Sequence, residues 1–387
     1  MKTVEETDVV SVLEFFQDLP DPRSSINRKH LLGEIMVICI SAVLCGADGP
    51  KAIGMWAQSK RDWLKKVLEL PHGIPSHDTF GRVLAAVKPA AFQECFAKWI
   101  AQLQSTHASP DPAAIKQIAI DGKALRRSHD QRKKLGPLFL VSAWSVECGI
   151  SLGQLATEEK SNEITAIPAL LAKLEVQGAI VTIDAAGCQK YIAQQIIDGG
   201  GDYVLALKGN QGNIHKDTET WVLEQMANDF SEVTACKLEV TEKSHGREVT
   251  YWYVQLPVPE SLRGREQWAK LQTIGVAVRH CREREKDTYD TRYYLASLPL
   301  GVQRFAQVVR GHWAIENTLH WCLDVTFGED ASPIRLRNAA LNFSFLRRLA
   351  LNLFRADQSR ASSLPKKRKA AAWNPDYLAT VLRLEEI

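Results

Sequence analysis

Three acidic residues stand where their side chains could hold a metal ion. Asp121 closes the apolar run Gln117-Ile118-Ala119-Ile120 and is followed by Gly122 and Lys123. Asp184 closes a second run, Ala179-Ile180-Val181-Thr182-Ile183, and precedes Ala185-Ala186-Gly187. Glu316 lies in His312-Trp313-Ala314-Ile315-Glu316-Asn317, which reads as helix. A carboxylate at the exit of a buried strand is held rigidly at the sheet edge, where ligands reach it. Two such strand ends plus a helix glutamate make an all-oxygen site suited to Mg²⁺ or Mn²⁺. That set points to phosphoryl transfer on nucleic acid. Single strand-end aspartates also serve structural roles, so the argument rests on three acids falling in a sheet of suitable order.

Around Glu316 the residues His312, Glu316, His320 and Asp324 recur every four positions, with Ile315, Leu319 and Leu323 as an apolar stripe beside them. The apolar stripe would pack on the sheet. Two histidines and a carboxylate on one face raise zinc as an alternative. Here the histidines are eight residues apart, not four as in His-Glu-x-x-His, and no thiolate joins them. Beside a carboxylate that handles phosphate, histidines contact substrate oxygens or simply pack. Lys208-Gly209-Asn210-Gln211-Gly212-Asn213 follows a strand-like run and combines a cation, flexible backbone and amides. Lys208 and Asn210 therefore suit a nucleic-acid backbone, with a polar turn as the plain alternative. No Gly-x-Gly-x-x-Gly follows a strand, and neither Ser-His-Asp nor Cys-His chemistry has a local signature.

The elements that must position these residues change in texture along the chain. Residues 9–105 read as helices, with Leu31 to Cys45 apolar on most sides and Ser76-His77-Asp78-Thr79 forming a capping signature before Phe80, Val83, Leu84 and Val87. Ser105 to Pro112 is polar and makes a linker. Strand-like runs follow at 117–121, 138–146 and 150–156, then a helix at 162–176, a strand at 179–184, a helix at 188–198 and a strand at 203–207. Three strands and then alternating helix and strand predict a mixed α/β sheet. Residues 233–299 interrupt it with β-rich sequence, including a turn at His245-Gly246-Arg247, before helix resumes at 303. The expected units are a helical N-terminal domain at 1–110, a first catalytic part at 111–232, a β-rich insertion at 233–300, a helical catalytic end at 301–355 and a loose basic tail at 356–387.

With 387 residues, 45% hydrophobic and 24% charged, the composition is that of a soluble globular protein with a large core. The net charge of +3 permits nucleic-acid binding without arguing for it. Lys123, Arg126, Arg127, Arg132, Lys133 and Lys134 crowd just after Asp121, so Lys123 and Arg126 are candidate DNA contacts; a solvated face is the bland alternative. Eight cysteines without a Cys-x-x-Cys pair predict reduced thiols, and the opening residues show no signal peptide. The longest uncharged run, Ile35 to Ala47, falls short of the roughly 20 residues of a membrane span. The expected location is cytoplasmic and nucleoid-associated.

From about Phe15 to Phe354 the chain resembles the DDE transposases of bacterial insertion sequences, in the branch of the H-repeat-associated proteins. The motifs are Ile74-Pro75-Ser76-His77-Asp78-Thr79-Phe80, Ile120-Asp121-Gly122-Lys123, Thr182-Ile183-Asp184-Ala185-Ala186-Gly187-Cys188-Gln189, Gly201-Asp202-Tyr203, Lys208-Gly209-Asn210-Gln211, Arg310-Gly311-His312-Trp313-Ala314-Ile315-Glu316-Asn317 and Leu319-His320-Trp321-Cys322-Leu323-Asp324-Val325 with Glu329-Asp330. The resemblance implies an RNase H-like catalytic domain with Asp121, Asp184 and Glu316 as its triad, holding two Mg²⁺ or Mn²⁺ ions. Its implied substrate is double-stranded DNA at element ends and targets, cut and joined by a homodimer or larger assembly. Many relatives carry Tyr-x2-Arg-x3-Glu-x6-Lys around the glutamate, where this chain has Val309, His312 and Leu323. Arg310 would then supply the arginine from a neighbouring register, with His312 and Asn317 as further DNA contacts. The rival readings are a domesticated, non-mobilising DNA-binding protein and a structure-specific nuclease on the same fold.

Overall fold

A helix with no polar face has to lie inside, and Leu32–Leu44 (α2) does: every residue but Gly33 is buried. The computed structural model describes residues 11–26, 28–107, 114–129, 136–157, 163–244, 247–283 and 286–384. Arg132, Lys133 and Lys134, residues 108–112 of the expected linker and His245-Gly246 lie outside them. Around α2 are Val12–Phe15 (α1), Pro50–Ser59 (α3), Arg61–Val67 (α4), His77–Ala86 (α5) and Pro89–His107 (α6). The expected cap is present at α5, where the Ser76 hydroxyl accepts from the Thr79 N–H at 3.3 Å. The one acid buried within α2, Glu34, accepts from the Leu70 N–H at 2.8 Å.

One nine-stranded sheet runs in the order β3-β2-β1-β4-β5-β9-β8-β7-β6. Gln117–Leu125 (β1) pairs antiparallel with Leu138–Ser145 (β2), which pairs antiparallel with Ile150–Thr157 (β3). On its other side β1 runs parallel to Ile180–Ile183 (β4), and β4 parallel to Asp202–Leu207 (β5). Glu163–Leu171 (α7) and Lys190–Asp198 (α8) cover these strands and supply the crossovers that parallel pairing requires. Asn213–Ala227 (α9) follows, a helix for which the sequence offered no apolar stripe strong enough to read.

The β-rich segment is not a separate layer. Cys236–Ser244 (β6), Arg247–Pro257 (β7), Thr273–Glu283 (β8) and Lys286–Ala296 (β9) join the same sheet, because β9 pairs antiparallel with β5. Val302–Ala314 (α10) packs on β1 and β4 and also on β6 and β7, so the sheet curls around it. Phe305, Tyr253 and Tyr294 fill the space between, with Phe305 packed edge-on to both tyrosines at ring separations of 6.3 and 5.6 Å.

Arg337–Ala356 (α11) returns the chain to its beginning. It is buried along most of its length and packs on α2, α5 and α6, with the Asn342 amide donating to the carbonyls of Leu84 and Val87 at 2.9 and 2.8 Å. The basic tail is not loose, contrary to expectation. Leu364–Trp373 (α12) and Pro375–Leu382 (α13) pack on α2 and α11. Lys367 is buried and donates to the Phe354 carbonyl at 2.8 Å, while the Arg368 guanidinium lies 4.9 Å from the Phe327 ring. Lys367 thus satisfies a C-terminal carbonyl of a buried helix, where the helix dipole favours positive charge. All eight cysteines are unpaired, and among the described residues no helix is long and apolar enough to cross a membrane.

Candidate active site

Register brings the two aspartates together. Ile120 on β1 lies beside Ile183 on β4, so the next residues, Asp121 and Asp184, emerge side by side where the parallel pair separates. Unlike the expectation, β1 does not end at Asp121; it continues along β2 to Leu125. Asp184 leaves its strand and caps a short 3₁₀ turn, its carboxylate accepting from the N–H groups of Ala186 and Gly187 at 3.1 and 3.4 Å. Gly122, beside Asp121, leaves room for Glu163, whose carboxylate a Cβ there would meet at 2.5 Å.

Glu316 arrives on the continuation of α10. Gly311 lets that helix close on the sheet, since a Cβ would stand 2.2 Å from the Gln117 side chain, whose amide bridges the Val308 carbonyl and Thr182. Beyond Ala314 the helix widens: Ile315–His320 and Cys322–Thr326 are π-helical, with the Trp321 N–H bonded to the Glu316 carbonyl. A spacing of four residues drifts by about 40° per step around an α-helix. Wider π turns correct that drift, so His312, Glu316, His320 and Asp324 keep facing the sheet. π-bulges of this kind gather at functional sites.

The stripe meets β1 and β4 residue by residue. The His312 ring lies 3.0 Å from the Thr182 hydroxyl, the His320 ring 3.5 Å from the Asp121 carboxylate, and Asp324 pairs with the Lys123 ammonium. Lys123 also reaches Glu329 at 3.3 Å. Glu329 is fully buried, accepts from Arg348 and Ser344 at 2.8 Å each, and is held at about 2 because these cations outweigh the cost of burial.

Asp121, Asp184 and Glu316 line one cavity of 750 Å³ together with Lys208, Glu219, Asp290, Arg292, His215 and His312. Burial, and then the neighbouring charges of Asp184, Glu316 and Glu163, push the Asp121 carboxyl up to about 7. His312 and His320 are pushed down to about 4 and 3, chiefly by burial, and are neutral at working pH. The donor set is all oxygen and its acids repel one another, which fits a divalent cation. Among the described residues, however, no group of three acids, histidines or cysteines is drawn in tightly enough to hold one.

The other expected contacts divide. Lys208 is exposed at the cavity wall, whereas Asn210 lies beyond it, donating to the Ala185 carbonyl at 2.9 Å. Asn317 is exposed beside Glu316 without lining the cavity. Arg126 is 81% exposed and 3.2 Å from Asp330. Lys123 does not face solvent as expected; as Asp121 shares its strand face, it points into the helix packed there. Arg310 is also placed elsewhere, 2.5 Å from Glu242 and 5.1 Å from the Tyr251 ring centre. Six positions along a helix put it about 120° around from Glu316. The sequence reading missed Glu163, Glu219 and Asp290, which carry no local pattern, and Thr182, whose position inside an apolar strand was the available signal.

Residues 112–353 match the family model described as Transposase DDE domain, and residues 13–100 match one described as DDE_Tnp_1-associated. The chain is 38% identical to the H repeat-associated putative transposase YhhI of Escherichia coli K12, over 97% of this chain and 98% of that protein. It is 39% identical to the putative transposase YncI of Escherichia coli O157:H7, over 97% and 95%. Among solved structures, the piggyBac transposase synaptic complex with hairpin DNA is similar at a TM-score of 0.39 and 8% identity, covering 96% of this chain and 76% of that one, a level that carries no argument. With its family model matched through the acid-lined cavity and relatives aligned nearly end to end, the chain belongs to the DDE transposases, in the H-repeat branch.

Proposed function

We propose that the chain binds the terminal inverted repeats of an insertion sequence, cleaves at the element ends and joins the 3′ ends to target DNA. The observation that carries this reading is the convergence of Asp121, Asp184 and Glu316 on one cavity, with Asp121 raised to about 7 by burial and by its acidic neighbours. The strand order β3-β2-β1-β4-β5, antiparallel and then parallel about β1, supports an RNase H-like catalytic part. Two Mg²⁺ or Mn²⁺ ions held by the three carboxylates would activate the attacking oxygen and neutralise the leaving one. Asp121, Asp184 and Glu316 would together hold the ions. Water is the nucleophile for cutting, and the freed 3′-hydroxyl for joining.

The remaining side chains position the substrate. Lys208 and Arg292, the two cations of the cavity wall, face the phosphodiester. His312, neutral and held by Thr182, fixes the helix face that carries Glu316 and offers a ring nitrogen to substrate oxygens. His320 steadies Asp121. End recognition falls to the helices of residues 9–105, where His77, Asp78 and Arg82 of α5 are exposed. A homodimer or larger assembly would hold both ends. The test is incubation of the protein with the DNA flanking its reading frame and Mg²⁺. Cuts confined to the repeat ends are expected; unselective cuts support a structure-specific nuclease, and selective binding without cuts a domesticated DNA-binding protein.

A further inference from the structure

Gln117, Thr182 and His312 form one chain of hydrogen bonds that ends at the acidic cavity. Gln117 on β1 and Thr182 on β4 are 3% and 2% exposed, so water does not compete for their bonds. The direction of each bond follows from what its two ends can do. The Gln117 side chain meets the Val308 carbonyl at 2.7 Å, and a carbonyl only accepts, so the atom there is the amide nitrogen. The second hydrogen of that nitrogen goes to the Thr182 hydroxyl oxygen, 3.3 Å away. Thr182 accepts this bond and has one hydrogen of its own to give. Its side chain has one other partner among the described residues, His312 Nδ1 at 3.0 Å.

A buried hydroxyl hydrogen left without an acceptor is costly, so Thr182 donates and Nδ1 accepts. The hydrogen of the ring then sits on Nε2. A ring that gained a second proton would keep that hydrogen, and only the opposite tautomer would remove it. The opposite tautomer would strand the Thr182 hydrogen. Nε2 itself has no partner among the described residues and is not a buried atom, so it opens into the cavity that His312 lines with Asp121, Asp184 and Glu316.

We infer that Gln117 and Thr182 are positioning residues, which hold His312 with its Nε2–H towards the cavity as a donor to a phosphate oxygen of the DNA. The acceptor in this inference rests on the proposed reaction; the direction of the bonds does not. A ring nitrogen that carries a hydrogen has no lone pair in the ring plane for a metal ion. His312 therefore stands beside the three carboxylates without competing for their cations, which answers the zinc alternative raised by two histidines and an acid on one helix face. In a cavity of five carboxylates it also adds a group that attracts phosphate oxygen. Gly311 belongs to the same arrangement, because a Cβ there would displace the Gln117 side chain that starts the chain of bonds.

The first test needs neither DNA nor metal. In the full chain labelled with ¹⁵N-histidine, the ring signals of His312, identified by their loss in His312→Gln, report which nitrogen carries hydrogen. A fixed Nε2–H with a bare Nδ1 is expected. Thr182→Val keeps the shape without the hydroxyl and should give the averaged shifts of both tautomers, whereas Thr182→Ser should keep the fixed pattern. Added Zn²⁺ should leave the His312 signals of the unaltered protein in place. In cleavage of the DNA flanking the reading frame, Thr182→Val should lower kcat by at least about tenfold, as for a lost hydrogen bond to a charged group. Thr182→Ser should restore most of that rate.

His312 carries the test even where Thr182→Val does not fold. His312→Gln places an amide N–H near the position of Nε2, and His312→Asn places one near that of Nδ1. The first should cut about tenfold faster than the second, by the same hydrogen bond. Equal rates, an Nδ1–H signal in the unaltered protein, or a Zn²⁺-induced shift of Nε2 there would overturn the inference. A fixed Nε2–H in a protein that never cuts DNA would uphold the positioning of His312 and remove the transposase reading.

Discussion

Two cavities of nearly equal size sit on either side of one loop wall, 750 Å³ with five carboxylates and 720 Å³ with none. The carboxylates of the first are set by strand register and helix phase, because opposing charges of one sign must be held together by the fold. The second lies where α8 and α9 begin and owes its character mostly to backbone, since helix starts present N–H groups whatever their side chains. Behind both lies a third arrangement, in which Asp324, Glu329, Lys123 and Arg348 neutralise one another inside the core. The acids of the first line an open cavity, and those of the third hold the frame.

The sharpest break of this contrast is in the triad. Asp121→Asn, Asp184→Asn or Glu316→Gln should each lower end cleavage by at least about 10²–10³-fold, since a neutral amide cannot balance divalent charge. In buffer free of divalent cations the same variants should bind DNA more tightly, because a repelling charge is gone. Near-normal cleavage by any one of them, read on a gel of labelled ends, removes that residue from the triad.

Next is the paired acid. Glu329→Gln leaves buried cations without their partner and should cost about 3–5 kcal/mol in urea unfolding. Its pH dependence has a definite sign. The folded carboxyl is held at about 2, below its ordinary 4.5, so its contribution is complete above 4.5 and is lost as pH falls through 2. The variant should therefore lose less stability than the unaltered protein over that window, as followed by circular dichroism. Parallel acid curves would show that Glu329 is not the paired group.

Two cations after Asp121 test frame against substrate. Lys123→Met should lower cleavage by about tenfold through loosening of the Glu316 helix while leaving the salt slope of DNA binding unchanged, because a contact to phosphate, and not an internal pair, sets that slope. A slope reduced by about 0.9 would return Lys123 to the DNA-contact role expected from sequence. The smallest effect belongs to Arg126, 81% exposed beside Asp330. Removing it should change stability by less than about 1 kcal/mol, and a larger change in thermal melting would place it in the frame.

The sequence by itself determined the family of this protein and where the three acids of its cavity stand. Asp121 and Asp184 were legible because each closes an apolar run, and a buried strand announces its own exit. Glu316 was legible because residues four apart form a stripe, which is a local property of a helix. The apolar helix α2, the cap at Ser76 and the strands about β1 followed from composition and periodicity in the same way.

Tertiary structure decided which charged groups line the cavity. Lys123 read as a DNA contact from the cation run after Asp121 and Arg310 from the family resemblance, yet one is turned into the helix beside β1 and the other onto Glu242 and Tyr251. The β-rich segment read as an interruption, and only the pairing of β9 with β5 made it part of one sheet. Lys367 and Arg368 read as a loose tail until α11 offered Lys367 the Phe354 carbonyl, and Thr326 and Val43 offered Arg368 theirs. Local pattern states what a side chain is and which neighbours share its face. Where that face points depends on contacts hundreds of residues away, and those are made only when the chain folds.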